Sequence, residues 1–305
     1  MSSNGSEKKK KEFPSGAFFR YPDGADGSPA RPLACIDIGA NLMDDAFRDD
    51  VDEVLARARD AGVHAIVVTG TSVASSEAAL AFASEKSTDA LPLYATVGVH
   101  PHEAKSCDPE TFRHLAYMMM HPKCVACGEC GLDFDRNFSP PDVQREVFAK
   151  HVDLAKATNK PLFMHCREAA SDLVAVLESR GGPPAEGGVV HCFTGSADEA
   201  ATFLAMDLHV GVTGWICDDR EGRSERLTEA VKAVPAGRLM VETDAPYLTP
   251  RSIKPNKSRP WRNEPCLLPH VLARVAEARG ESMQAVAEHT SAAAVRFFGL
   301  KNVPK

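Results

Sequence analysis

The sequence predicts an α/β fold, a (β/α)8 TIM barrel with extra C-terminal helices, spanning residues 31–305. Three observations predict it. Eight short apolar runs alternate with amphipathic stretches. The runs are continuously apolar rather than alternating, which suits parallel strands covered on both faces. Polar and ionisable residues gather at the C-terminal ends of these runs, the end at which such a barrel carries its site.

Taken in order, residues 1–30 are rich in Gly, Ser, Pro and Lys and read as a flexible basic tail. Its run Lys8–Lys11 reads either as a nuclear address or as a merely solvated segment. The texture changes at Ala34. The apolar runs are Ala34–Ile38, Ala65–Gly70, Leu93–His100, Val125–Leu132, Pro161–Cys166, Gly188–Phe193, His209–Gly214 and Leu239–Asp244. Between them, Val51–Ala61, Pro141–Thr158 and Glu168–Arg180 have helical amphipathy. Strands alternating with helices imply right-handed βαβ units. Eight such strands favour closure over the alternative, an open doubly wound sheet. Two helices follow, Leu267–Arg279 and Ser282–Phe298. No long linker or internal repeat divides the chain.

A length of 305 residues is ample for one such barrel and its core. The formal net charge of −7 opposes polyanion binding by bulk attraction, so any contact with nucleic acid needs a local basic patch or metal ions. No apolar run reaches the ~18 residues of a membrane span, and the polar N-terminus carries no secretory signal. The nine cysteines, an odd number lying mostly in apolar runs, read as reduced intracellular thiols. The expected location is cytoplasmic, with the nucleus as the alternative raised by the lysine run.

The chemistry lies in the strand ends. Run one ends in Asp37-Ile38-Gly39-Ala40-Asn41, run three in His100-Pro101-His102, and run four carries Gly128-Glu129 through Asp133. Runs five and six end in His165-Cys166-Arg167 and His191-Cys192-Phe193, and run eight in Glu242-Thr243-Asp244. Imidazoles and carboxylates in one cup suit divalent cations. Glu129, His165, His191 and Asp244 are the candidate metal ligands. Glu129 can bridge two ions, and a pair about 4 Å apart can activate water and stabilise a leaving oxygen. Arg167 can hold a phosphate or pair with a carboxylate. Glu242 can orient a ligand histidine or belong to a buried ion pair. Cys124, Cys127 and Cys130 have the spacing of an iron–sulfur run, but position 134 is Phe134 and the run is an apolar strand, which argues against a cluster. Strand alternation points Cys166 and Cys192 away from the metals. The segment Pro250–Pro265 carries Arg251, Lys254, Lys257, Arg259, Arg262 and Trp261, and is expected to overhang the cup as a backbone grip or to be a solvated loop.

Together these strings resemble the TatD family of metal-dependent deoxyribonucleases, from about Cys35 to Leu300. The specific ones are Gly128-Glu129-Cys130-Gly131-Leu132-Asp133 and Glu242-Thr243-Asp244-Ala245-Pro246, supported by His165-Cys166-Arg167, His191-Cys192-Phe193-Thr194-Gly195 and Arg262-Asn263-Glu264-Pro265. The resemblance implies a barrel of the metal-dependent hydrolase superfamily and hydrolysis of DNA phosphodiesters, 3′→5′ on single strands. It also implies roles in DNA repair or in DNA fragmentation during cell death. By motif, Glu129 bridges two ions, with His165 and His191 on one and Asp244 on the other or beside the attacking water. His100, with Glu129 and Asp244, is a catalytic contact, and Arg167, Arg262 and Asn263 are assigned to substrate. Many family members open with His-x-His, where this chain has Gly39-Ala40-Asn41. An amide in place of an imidazole tilts the expected ion from Zn²⁺ towards Mg²⁺ or Mn²⁺, with Mg²⁺ first. The rival readings are a metal-dependent hydrolase of a small amide, ester or phosphoester, and a non-catalytic DNA-binding protein with a degenerate site.

Overall fold

The computed structural model describes residues 13–21 and 31–304, so the Lys8–Lys11 run lies outside the described residues. Eight parallel strands follow one another around the sheet in chain order. They are β1 Cys35–Ala40, β2 Val63–Val68, β3 Leu93–Val97, β4 Cys124–Asp133, β5 Leu162–Arg167, β6 Gly188–Val190, β7 His209–Val212 and β8 Leu239–Val241. The ring closes where Ala40 bridges Ala245, just past the end of β8. Helices α1 Val51–Asp60, α2 Val73–Lys86, α3 Pro109–Met119, α4 Pro141–Thr158, α5 Ala170–Ser179, α6 Ala197–Ala205 and α7 Glu225–Ala233 alternate with the strands. Of the two C-terminal helices, α8 Leu268–Arg279 completes the outer ring after β8, and α9 Met283–Phe298 is the additional one.

The strands are mostly apolar because both faces are covered, with ionisable residues such as Asp37, Glu129, Asp133 and His165 as the exceptions. One set of side chains, including Ile36, Ile38, Val67, Phe163 and Met240, fills the barrel interior, and Ala293, Ala294 and Phe298 of α9 cluster with it. The other set packs beneath the helices, with Ile66, Leu93, Leu132 and Leu162 fully buried. Helices α2, α3 and α6 start at reciprocal caps, Ser72 with Ser75, Asp108 with Thr111 and Ser196 with Glu199. Each such cap satisfies otherwise orphaned N–H groups and is worth roughly 1 kcal/mol.

Residues 13–21, expected to lie in a flexible tail, dock on the barrel. Ala17 is fully buried, the His270 ring donates to its carbonyl at 2.9 Å, and Tyr21 Oη donates to Ala61 O at 3.2 Å.

The segment after β8 also departs from expectation. Arg251 reaches Asp218 and Asp219 at 3.3 Å, and Lys254 reaches Asp219 at 2.5 Å. None of its expected basic residues, nor Trp261, lines the cavity at the strand ends. Arg251, Lys254, Arg259 and Arg262 bond to local carboxylates, carbonyls or the Asn256 amide rather than to the cup.

Candidate active site and metal centre

The C-terminal strand ends enclose a cavity of about 780 Å³ whose wall includes Asn41, His100, Glu129, His165, His191 and Asp244. Glu242 makes the inner geometry possible. Its carboxylate fits between the flanking strands where Gly39 of β1 and Gly211 of β7 leave room: a Cβ on Gly39 would stand 2.3 Å from Glu242 Oε2, and one on Gly211 2.8 Å from Oε1.

Three imidazole nitrogens converge on a single oxygen, Glu129 Oε1: His191 Nε2 at 2.8 Å, His165 Nδ1 at 3.1 Å and His100 Nε2 at 3.2 Å. Two of these rings meet a second carboxylate on their outer side. His191 Nδ1 faces Glu242 Oε2 at 3.4 Å, and His165 Nε2 faces Asp133 Oδ2 at 3.3 Å. These outer atoms, His191 Nδ1, Glu242 Oε2 and His165 Nε2, are buried and make no hydrogen bond among the described residues, so the two contacts are close charge pairings; the hydrogen bonds of both rings run from the inner nitrogens to Glu129. A neutral imidazole donates from one nitrogen only. If the outer nitrogen donates to its carboxylate, the inner one offers a lone pair to the centre. Carboxylate–histidine pairing of this kind orients ligand imidazoles towards a metal. With the inner nitrogens deprotonated, the two imidazoles and the Glu129 carboxylate would make a donor set that suits a divalent cation.

His100 differs. Its Nδ1 accepts from His102 N at 3.1 Å, so a neutral ring carries its proton on Nε2, the atom aimed at Glu129. Geometrically it belongs to the compact trio His100, Glu129 and His165, whose ligand atoms lie within 4.8 Å of one another. Its hydrogen bonding makes it a donor at the centre rather than a lone-pair ligand.

The electrostatics follow. Burial alone would raise Glu129, but His100 and His191 hold its carboxyl well below the usual range. Burial would lower His191 and His165; the carboxylates around them win and raise both. Burial lowers His100, against the pull of Glu129. Burial, aided by the Glu129 and Glu242 charges, pushes Asp244 up to about 7, and its Oδ1 accepts from Asn41 Nδ2 at 2.9 Å.

The four expected metal residues thus line one cavity. The expected substrate contacts divide. Arg167 lines the wall, a third exposed, with Nη2 3.2 Å from Asp133 and Nη1 3.5 Å from Asp135. Arg262 and Asn263 do not line it. Arg262 is 6% exposed, bonded to Asp50 at 2.6 Å and Glu264 at 2.8 Å and sandwiched between the Phe47 and Trp261 rings. Asn263 is fully buried and donates to Thr243 O at 2.8 Å. Asn263 holds the end of β8, and Arg262 ties its loop to the segment before α1 through Ala46 O and Asp50. Cys166 and Cys192, expected to face away, contribute to the wall. Cys192 lies beyond β6 with φ 45°, where strand alternation no longer sets direction. The thiols of Cys124, Cys127 and Cys130 are buried in β4 and directed at backbone carbonyls, so they gather no cluster. Sequence reasoning gives no role to Asp133, which also accepts from His102 Nε2 at 2.7 Å. The signal is present, because Asp133 ends the same strand as Glu129.

Comparison with known proteins places the chain in a family. Residues 36–299 match the family described as TatD related DNase. A relative named 3′-5′ ssDNA/RNA exonuclease TatD, from Klebsiella pneumoniae (strain 342), is 45% identical over 267 residues, covering 87% of this chain and 97% of its own. A solved TatD homolog from Escherichia coli K12 superposes with a TM-score of 0.78 at 26% identity, over 88% of this chain and 98% of that one. A TatD family hydrolase from Entamoeba histolytica gives 0.77 at 26% identity, over 88% and 99%. With the family's fold and its strand-end strings both present, the chain belongs to the TatD related DNases, hydrolases of phosphodiester bonds.

Proposed function

We propose that this chain removes nucleotides from the 3′ end of single-stranded DNA, and of RNA, with two divalent cations, Mg²⁺ first among them. The observation that carries the reading is the junction at Glu129 Oε1, where His165 and His191 are backed by Asp133 and Glu242. A cavity of about 780 Å³ falls in the roughly 300–1,000 Å³ range of small-ligand clefts, which suits a strand end better than a duplex. The exonuclease relatives supply the polarity and the substrate class.

Glu129, His165 and His191 would hold one cation, with Asp244 and Glu129 serving the other. Bound cations supply Lewis-acid charge on the phosphate and make water a better nucleophile. Asp244, with Asn41 Nδ2 donating to its Oδ1, would orient the attacking water and take its proton. His100 Nε2–H donates to a non-bridging phosphate oxygen as charge develops. Arg167, braced by Asp133 and Asp135, fixes the phosphate on the β5 side.

The test is digestion of 5′-labelled single- and double-stranded DNA, and of RNA, with Mg²⁺, Mn²⁺, Zn²⁺ or chelator. A ladder shortening from the 3′ end of single strands, abolished by chelator, is expected. Glu129→Ala should lower the rate at least about 100-fold while leaving the barrel folded. Internal cuts, or parent-rate digestion by that variant, would overturn the assignment.

A further inference from the structure

The loop after β4, residues 134–139, brings two side chains to the cavity that neither the metal centre nor the core employs. Phe138 is 54% exposed although it lines the cavity. Arg136, also exposed on that wall, has a guanidinium with no ion-pair partner among the described residues. Its neighbour Arg167, by contrast, is tied to two aspartates.

The loop is built to hold them. Asp133 Oδ1 accepts from Asp135 N at 3.1 Å and Arg136 N at 3.0 Å. Asn137, at φ 52°, donates to Phe134 O at 2.7 Å. Lys105 Nζ donates to Phe138 O at 3.0 Å, and Ser139 Oγ to His102 O at 2.8 Å. The Phe138 ring meets His102 edge-on at 4.7 Å, which links the loop to the imidazole beside the centre. Strands β4 and β8 lie four places apart in the eight-stranded ring, so Tyr247, 55% exposed and anchored to Asp44 at 3.0 Å, stands across the mouth.

An exposed aromatic next to an unpaired cation matches one repeat of a nucleic-acid strand. Aromatic faces stack on bases whatever their identity, and a neighbouring cation takes the phosphate. A base within a duplex is covered on both faces by its neighbours and cannot offer one. In a chain of net charge −7, a free guanidinium at this rim is a local attraction set against an unfavourable whole.

We propose that Phe138 stacks on a base of the bound strand while Arg136 holds the adjoining phosphate, so that this loop selects unpaired strands. The inference rests on the nuclease reading above. It is tested with Phe138→Leu, Phe138→Trp and Arg136→Ala, each checked for an unchanged melting profile. The substrates are a single-stranded oligonucleotide and an abasic strand of equal length carrying the same phosphates. Phe138→Leu should raise KM on the base-bearing strand about 10-fold with kcat nearly constant, and leave KM on the abasic strand within about twofold. Phe138→Trp should keep the parent KM. Arg136→Ala should raise KM on both strands and flatten the salt dependence by a slope of about 0.7. Equal KM changes on the two strands for Phe138→Leu, or none, with the parent still degrading DNA, would overturn the proposal and spare the nuclease reading. A parent protein that cleaves neither DNA nor RNA with any cation would remove that reading, and the proposal with it.

Discussion

Glu242 carries more of the site than its position away from the cavity wall suggests. Its two oxygens are divided between Cys192 N and the outer nitrogen of His191. Replacing it with Gln keeps the shape and removes the charge that fixes the ring. The expected result is a 10–100-fold loss in cation affinity or kcat/KM with the melting temperature preserved, read by cation titration and steady-state kinetics. Unchanged values would mean that His191 orients itself. His151 acts on stability instead. It is fully buried, its Nε2 accepts from Val99 N at 3.1 Å and its Nδ1 donates to Val147 O at 2.8 Å. Burial pushes it down to about 4. The unfolded chain takes up this proton near 6.5 and the folded chain only near 4, so the stabilisation is full above 6.5 and is lost as pH falls between the two. The loss is on the order of 3 kcal/mol. Chemical denaturation from pH 7 to 4.5 should show this decline, and His151→Gln should make it shallower by about one proton.

At the scale of elements, Arg262 shows how a strand-end string can mislead. It stands in a motif beside the site, yet its guanidinium serves Asp50 and Glu264. Arg262→Ala should cost about 1.5–3 kcal/mol, because the fully buried Glu264 loses one cation but keeps Arg57 at 2.8 Å, with KM for DNA little changed. A raised KM with unaltered stability would return Arg262 to the substrate side. What was legible follows from the same physics. Strands and the long helix α4 announce themselves because burial writes a period into the sequence; Pro141–Thr158 is bounded as its amphipathy predicts. Helix α2, rich in Ala and Ser, has little amphipathic contrast, and its start is marked by the cap at Ser72 rather than by periodicity. That Glu129, His165, His191 and Asp244 would line one cavity was legible because chemistry and topology both point at strand ends. Arg136 and Phe138 were not, since a loop has no period, and only coordinates reveal that a cation lacks a partner.

For the molecule as a whole, eight apolar runs sufficed to expect closure, but not how the ring is sealed. β4 and β5 share paired positions from Cys127–Leu162 to Asp133–Arg167. The first and last strands share a single bridge, Ala40 with Ala245, flanked by Asp244 N donating to Gly39 O at 2.8 Å and Asn41 N donating to Ala245 O at 2.7 Å. The buried Asp37 carboxylate takes over where the ladder is missing, accepting from Thr243 N at 2.9 Å and from the Thr243 hydroxyl. The barrel is therefore a belt with one clasp, and the clasp lies directly beneath Asp244. Local opening follows the thinnest hydrogen bonding. In deuterated solvent the Thr243 and Asp244 amides should label well before those of β4 and β5, and Asp37→Asn should widen the gap. Uniform protection around all eight strands would show the clasp to be as firm as the belt.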